Sequence, residues 1–333
     1  MTSFPKDHYV PQCYLDAFSI EGAGAKETHI YQYMENGIVS PRIKDVAAEK
    51  HFYTFKHKDT GEPVRDVDDT FTMVEGWTAP ILKKIIDGNS LELSDEEHEK
   101  LSLFISFLII RTPGYIKHLE SLEGETTKEM MALDARNKEK FHESFKNIDA
   151  NLTYEEVEKQ REYITSKKYS IEYPNSRGHF IAQGFKHAMG LAGIFYEVKH
   201  WHLLTATKEE VFITSDNPVS LYRPIYIPKI YGAGYRNGTI VLSISPKHAI
   251  LLRDFPLKSL HLKVGAKSVI EINKNLMRFS DNYIFSNLKS KKIHNTYISV
   301  GNKHHQTIKV QHHKFAPYIF IKPENDPPEE IIS

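Results

Sequence analysis

Residues 101–113 read Leu-Ser-Leu-Phe-Ile-Ser-Phe-Leu-Ile-Ile-Arg-Thr-Pro, with only Ser102 and Ser106 polar ahead of Arg111. A helix of that composition is apolar on every face, so it has to sit inside a core with other elements around it. Both of its ends are marked. Ser94 followed by Glu97 makes a capping box, and Asp95 and Glu96 add negative charge in the first turn, where the helix dipole favours it. Pro113 pushes Thr112 out of the α region, so the helix kinks or stops there. A guanidinium, Arg111, is thereby delivered to the end of the most buried element. A charge in that place needs a carboxylate, a set of carbonyls or an anionic ligand.

The 333 residues suffice for a large core in one domain or two closely packed ones. The longest apolar run is too short to cross a bilayer, and residues 1–20 lack the basic start and apolar block of a signal peptide. Cys13, the single cysteine, permits no internal disulfide and fits a reducing compartment, so a cytoplasmic location is expected. The formal net charge of zero hides an asymmetry. Residues 228–323 carry 16 basic groups and 3 acidic ones, Asp254, Glu271 and Asp281, whereas residues 1–227 carry 27 basic and 36 acidic. Such polarity either steers an anionic ligand to the C-terminal half or holds the two halves together.

The texture of the chain predicts an α+β fold, with a mainly helical N-terminal half that includes a small β-hairpin region, and a β-rich C-terminal half. Tyr14, Leu15 and Phe18 repeat at helical spacing behind Pro11, and Asn36-Gly37 marks a hairpin between strands at 28–34 and 38–39. Residues 51–55 read as a strand, 67–86 and 179–195 as helices, and the Glu- and Lys-rich stretch 118–170 as an arm of two solvated helices. Past residue 200, short runs at 201–205, 211–214, 239–244, 249–252, 283–285, 297–300, 307–310 and 318–321 read as strands, with one helix at 267–279. The expected division is a helical region 1–199, a basic β-rich region 200–322 packed on it, and a disordered acidic tail 323–333.

Candidate chemistry is sparse. Thr214-Ser215-Asp216-Asn217-Pro218 ends a β-run on a tight turn, a place where a carboxylate serves as catalytic acid or metal ligand, or simply closes an Asx-turn. His179, Gln183 and His187 share a helix face, but eight residues separate the histidines, about 12 Å of rise, too far for one ion. His8 sits beside Val10-Pro11, a step that fixes the chain direction, with Tyr9 and Tyr14 near to supply hydrogen bonds. Residues 289–322 hold seven lysines and five histidines and no acid, interleaved with aromatic residues, which suits a track for a phosphate backbone or the basic outer face of a sheet. The expected contacts there are Lys289, Lys291, Lys292, Lys303, Lys309 and Lys314. Dinucleotide, Walker, nucleophile-elbow and zincin motifs are absent, and Cys13 has no catalytic signature around it.

Taken together these motifs resemble a bacterial family known as Domain of Unknown Function 4238. The resemblance rests on His8, Val10, Pro11, Tyr14, Leu15 and Phe18, then Phe52-Tyr53, Glu75, residues 111–113, Trp201, residues 214–218, Ser245-Pro246 and Asn273. It implies no settled activity, but it selects His8, Glu75, Arg111, Asp216 and Asn217 as polar positions that converge in an enzyme and scatter in a scaffold. One expectation is a hydrolase, conceivably a metal-dependent nuclease of the mobile-element or defence kind. Asp216 and Glu75 would hold Mg²⁺ or Mn²⁺ or act as acid and base, His8 would be general base, and Arg111 and Asn217 would stabilise a phosphate. The alternative is a binding module for nucleic acid or protein in which the same residues are structural. A third reading, a partner in an oligomeric assembly, leans on the charge polarity and the arm.

Overall fold

The computed structural model describes residues 6–22, 27–53, 55–56, 63–64, 66–148, 151–171, 173, 177–207, 210–222 and 234–300. Strand β1 (Lys6–His8) leads into the single turn α1 (Gln12–Leu15). The hairpin β2 (Tyr31–Met34) and β3 (Gly37–Val39) turns through Glu35 and Asn36, and β4 (Ala48–Lys50) returns to pair with β1. A short ladder of β5 (Phe55–Lys56) and β6 (Pro63–Val64) follows. Six helices come next: α2 (Asp66–Gly88), α3 (Asp95–Ile110), α4 (Pro113–Asp134), α5 (Lys138–Ile148), α6 (Tyr154–Ser166) and α7 (Arg177–Glu197). The remainder is β7 (His200–Ala206), β8 (Thr214–Ser215), β9 (Val219–Tyr222), β10 (Thr239–Ser243), β11 (His248–Arg253), β12 (His261–Val264), α8 (Ala266–Phe279), β13 (Ile284–Ser286) and α9 (Lys291–Val300).

Helix α3 is the hub. Its capping box forms, with Ser94 Oγ accepting from Glu97 N–H and Glu97 Oε2 accepting from Ser94 N–H at 2.8 Å. Every residue from Phe104 to Ile110 is buried, and so are Leu101 and Ser102. Ser106 satisfies its hydroxyl on the Leu103 carbonyl, which lets a polar residue sit in the core. The helix packs chiefly on α7 and then on α2. It ends at Ile110, and Thr112 caps α4 with Pro113 in its first turn.

Two sheets flank this bundle. The larger has the order β12-β7-β11-β10-β9, antiparallel except where β12 runs parallel to β7. Alternate residues of β10 show how it is sandwiched: Ile240 and Leu242 join the core around α3, while Val241 joins a second cluster with Val269 and Ile272 of α8. The smaller sheet, β3-β2-β13-β8, combines the N-terminal hairpin with strands from beyond residue 200. The core around α3 likewise runs from Tyr9 to Phe285.

Several expectations need correction. Residues 297–300 are the last turn of α9 and not a strand, because Ile293, Tyr297 and Val300 fall on one helical face against Tyr33 and Leu276. The arm comprises three helices, α4 to α6, and has its own apolar cluster of Ala135, Phe141, Val157 and Ile164. Phe52 and Tyr53 lie in a turn, where their rings are buried in the main core without strand pairing. The run at 211–214 pairs only as β8, since Ile213 N–H is taken by Asn273 Oδ1 of α8. The strands expected at 307–310 and 318–321 and the tail 323–333 lie outside the described residues. Among the described residues no helix is long and apolar enough to cross a membrane.

Candidate functional site

The polar motif residues gather around the short link between α3 and α4, in two adjoining clusters. Arg111 centres the first. Its Nη1 donates to Glu75 Oε1 of α2 at 2.7 Å and its Nη2 to the His8 carbonyl at 2.5 Å. The guanidinium lies 4.4 Å from the Phe71 ring centroid, and its own backbone carbonyl accepts from Tyr53 Oη at 2.6 Å. Its side chain is only 3% exposed, and Glu75 is 23% exposed. The charge left at the end of α3 is therefore met by a carboxylate, a carbonyl and a ring face. Arg111 Nε has no hydrogen-bond partner among the described residues.

His8 contributes more than its carbonyl. Its Nε2–H donates to the Lys44 carbonyl at 3.2 Å, which fixes the tautomer and leaves Nδ1 as the basic nitrogen, 3.5 Å from Gln12 Nε2. Burial and the neighbouring Arg111 hold its pKa below the usual histidine value, so the ring is neutral near pH 7. Cys13 is poorly suited as a nucleophile: desolvation and the Glu75 carboxylate push its thiol up to about 12.

Asp216 centres the second cluster. It does not close its own turn; Ser215 does that, through its hydroxyl to the Asn217 carbonyl at 2.7 Å and from Asn217 N–H at 3.1 Å. The Asp216 carboxylate instead reaches the loop after α8, accepting from Asp281 N–H, Asn282 N–H and Tyr283 N–H at 2.8, 2.6 and 2.9 Å. Burial and the nearby Asp281 push its pKa up, to about 8, against the pull of those amides. Asp281 in turn accepts from Gly114 N–H at 3.0 Å, in the first turn of α4. A Cβ at Gly114 would come within 2.2 Å of Asp281 Oδ1, so any larger residue there would push the carboxylate aside. Tyr9, next to His8 in the chain, feels Asp216 and Asp281, and burial and those carboxylates raise its pKa. The link 111–114 thus carries one cluster at each end.

Of the residues in these two clusters, His8, Glu75, Arg111 and Asp216 are singled out by the sequence as candidates and Tyr53 is named there only within a motif, while Gly114 and Asp281 are not among the candidates. One signal was available for Asp281: it is one of three acids in a strongly basic stretch. All three are structural, since Asp254 pairs with the buried Lys199 and Glu271 with Lys274. Asn217 is half-buried and adjoins the second cluster through its backbone. As placed, Asp216 gives both oxygens to amides and Glu75 gives one to Arg111, and among the described residues no group of three His, Cys, Asp or Glu could hold a metal ion.

Of the expected basic contacts, Lys289, Lys291 and Lys292 are exposed at the start of α9, with Lys292 paired to Glu210. Lys303, Lys309 and Lys314 lie outside the described residues. On α7, His179 pairs with Gln183 and Glu123 while His187 bonds Tyr115, so the two histidines stand in separate contacts.

Fold and site define an α+β protein whose polar motif residues join its N-terminal segment, its central helices and its C-terminal strands at one place. The chain belongs to the family described as "Protein of unknown function (DUF4238)", whose model matches residues 6–290. No curated protein and no solved structure matches it.

Proposed function

We propose that this chain is a non-catalytic binding module in which the polar motif residues are joints of the fold. The basic region 200–322 would carry a nucleic-acid partner by its phosphates, and the mainly helical region 1–199 would be the frame it is mounted on, in the cytoplasm. The observation that supports this most is where Arg111 and Asp216 direct their hydrogen bonds. Both side chains are shut off from solvent and engage Glu75, a backbone carbonyl and three backbone amides. Groups so engaged fix chain segments and leave little for a substrate. Titration of labelled single- and double-stranded RNA and DNA at rising salt tests the reading. Affinity should fall with salt, with a log–log slope of about 0.9 per phosphate contact, and reversing Lys289, Lys291 and Lys292 to Glu should weaken it at least about tenfold. Binding that ignores both salt and the triple reversal would sink the proposal.

A second reading, a hydrolase of the nuclease kind, is favoured by one observation: the neutral His8 ring, pinned through Nε2 with Nδ1 basic, beside Glu75. In that reading His8 is the base, Glu75 and Asp216 assist as acid or hold Mg²⁺ or Mn²⁺, and Arg111 and Asn217 face the phosphate, in a mobile-element or defence setting. It requires Asp216 to release its amides. Cleavage of RNA or DNA with Mg²⁺ or Mn²⁺, lost in folded His8→Ala and Asp216→Asn variants, would establish it; no cleavage with either ion or with chelator would leave the binding module.

A further inference from the structure

We infer that the outer face of α7 docks against α7 of a second copy of this chain, antiparallel, in a two-fold symmetric dimer. The inference is independent of the binding module proposed above. Helix α7 buries Phe180, Ala188 and Phe195 and packs chiefly against α3. Its opposite face carries Lys186, Met189, Gly190, Gly193, Tyr196 and Glu197, whose spacing confines them to about a third of the helix circumference. Met189 is 62% exposed there and Tyr196 38%.

The two charges on this face are of opposite sign and stand at its two ends, three turns and about 16 Å apart. Neither has an ion-pair partner among the described residues, whereas Lys83, Lys84, Lys100 and Lys128 on the neighbouring helices do. A face with a cation at one end and an anion at the other is complementary to itself when turned end over end, so the partner that fits it is the same face of another copy. The midpoint between Lys186 and Glu197 is also the midpoint between Gly190 and Gly193. A two-fold axis there sets Lys186 opposite the partner's Glu197 at both ends of the contact, whereas a parallel pairing would set like charges together.

Between the charges the face is apolar. In that register Met189 of each copy seats over the partner's Gly193 and against the partner's Tyr196 ring, a sulfur–aromatic contact. Tyr196 is steadied for this by the His98 ring of α3, at 5.1 Å between centroids. Glycine is a poor helix former, and a Cβ at Gly190 or Gly193 would meet nothing within 4 Å, so packing inside one chain accounts for neither residue. A second helix laid across them does, since the missing side chains let the two backbones approach and leave a seat for the methionine. Met189, the most exposed apolar side chain on α7, is the one that this contact removes most fully from water.

Sedimentation of the full chain over a concentration range of about 1 to 100 μM tests this. The 38.5 kDa chain should reach twice that mass at the upper end of the range. Met189→Asp and Gly193→Leu should each weaken the dimer at least about tenfold while the circular dichroism stays that of the parent, because neither change disturbs packing inside one chain. Lys186→Glu and Glu197→Lys should each weaken it about tenfold, and an equimolar mixture of these two variants should dimerise again, since each copy then supplies the sign that the other lacks. A monomer throughout the range, a dimer that persists in both Met189→Asp and Gly193→Leu, or charge-reversed variants that stay apart when mixed would each overturn the assignment.

Discussion

Removing Glu75 and removing Arg111 are not equivalent changes. Glu75 is partly exposed, so its carboxylate can turn to water, whereas Arg111 cannot leave the core without carrying its charge through apolar surroundings. Glu75→Leu should therefore cost about 3–5 kcal/mol, Arg111→Met less, and the double variant should recover much of the Glu75 loss; urea unfolding of the three variants measures this. At Asp216 the direction of the pKa shift gives a pH dependence. Its folded value lies above the unfolded one, so the folded state binds the extra proton and this group's contribution is present at low pH. Stability from it falls as pH rises from about 4 to about 8, with a slope of at most about 1.4 kcal/mol per unit. Asp216→Asn should flatten that part of the profile, and a parent profile with no slope difference from the variant would contradict the assignment.

At the scale of elements, the α3–α4 link shows how a local signal and a remote partner divide the work. Proline in the first turn and threonine as cap specify the break, but nothing near it in sequence explains the glycine that follows. That glycine answers to Asp281. Gly114→Ala should cost about 1–3 kcal/mol by crowding the Asp281 carboxylate. In an Asp281→Ala background the same change should be neutral or slightly stabilising, because alanine is the better helix former, and thermal melting of the four proteins gives the comparison. The cap of α3 was readable in full, and Ser94→Ala should cost about 1 kcal/mol. Helix α9 was misread because its β-branched and aromatic residues suit a strand, whereas the spacing of Ile293, Tyr297 and Val300 suits the face that α8 and β2 present.

For the molecule as a whole, the core around α3 includes residues from both sides of position 200, and the smaller sheet is built from both. Unfolding should therefore be one cooperative transition. The two tryptophans allow a direct check, since Trp77 is on α2 and Trp201 on β7. Single Trp→Phe variants should report the same urea midpoint, and two separated midpoints would show independently folding parts.

Legible in the sequence alone were the buried helix and its caps, the helices at 67–86 and 179–195, three of the five strands of the larger sheet, and the need of the Arg111 charge for a partner. Those features follow from local periodicity, capping chemistry and the cost of burying charge, all of which operate within a few residues of chain. The sequence could not say which partner each polar group takes. Arg111 finds Glu75 and the His8 carbonyl, and Asp216 finds amides 65 to 67 residues away. Only the tertiary structure decided these pairings, because a hydrogen bond is selected by which donor and acceptor the packed core brings within about 3 Å, and sequence separation places almost no restriction on that choice.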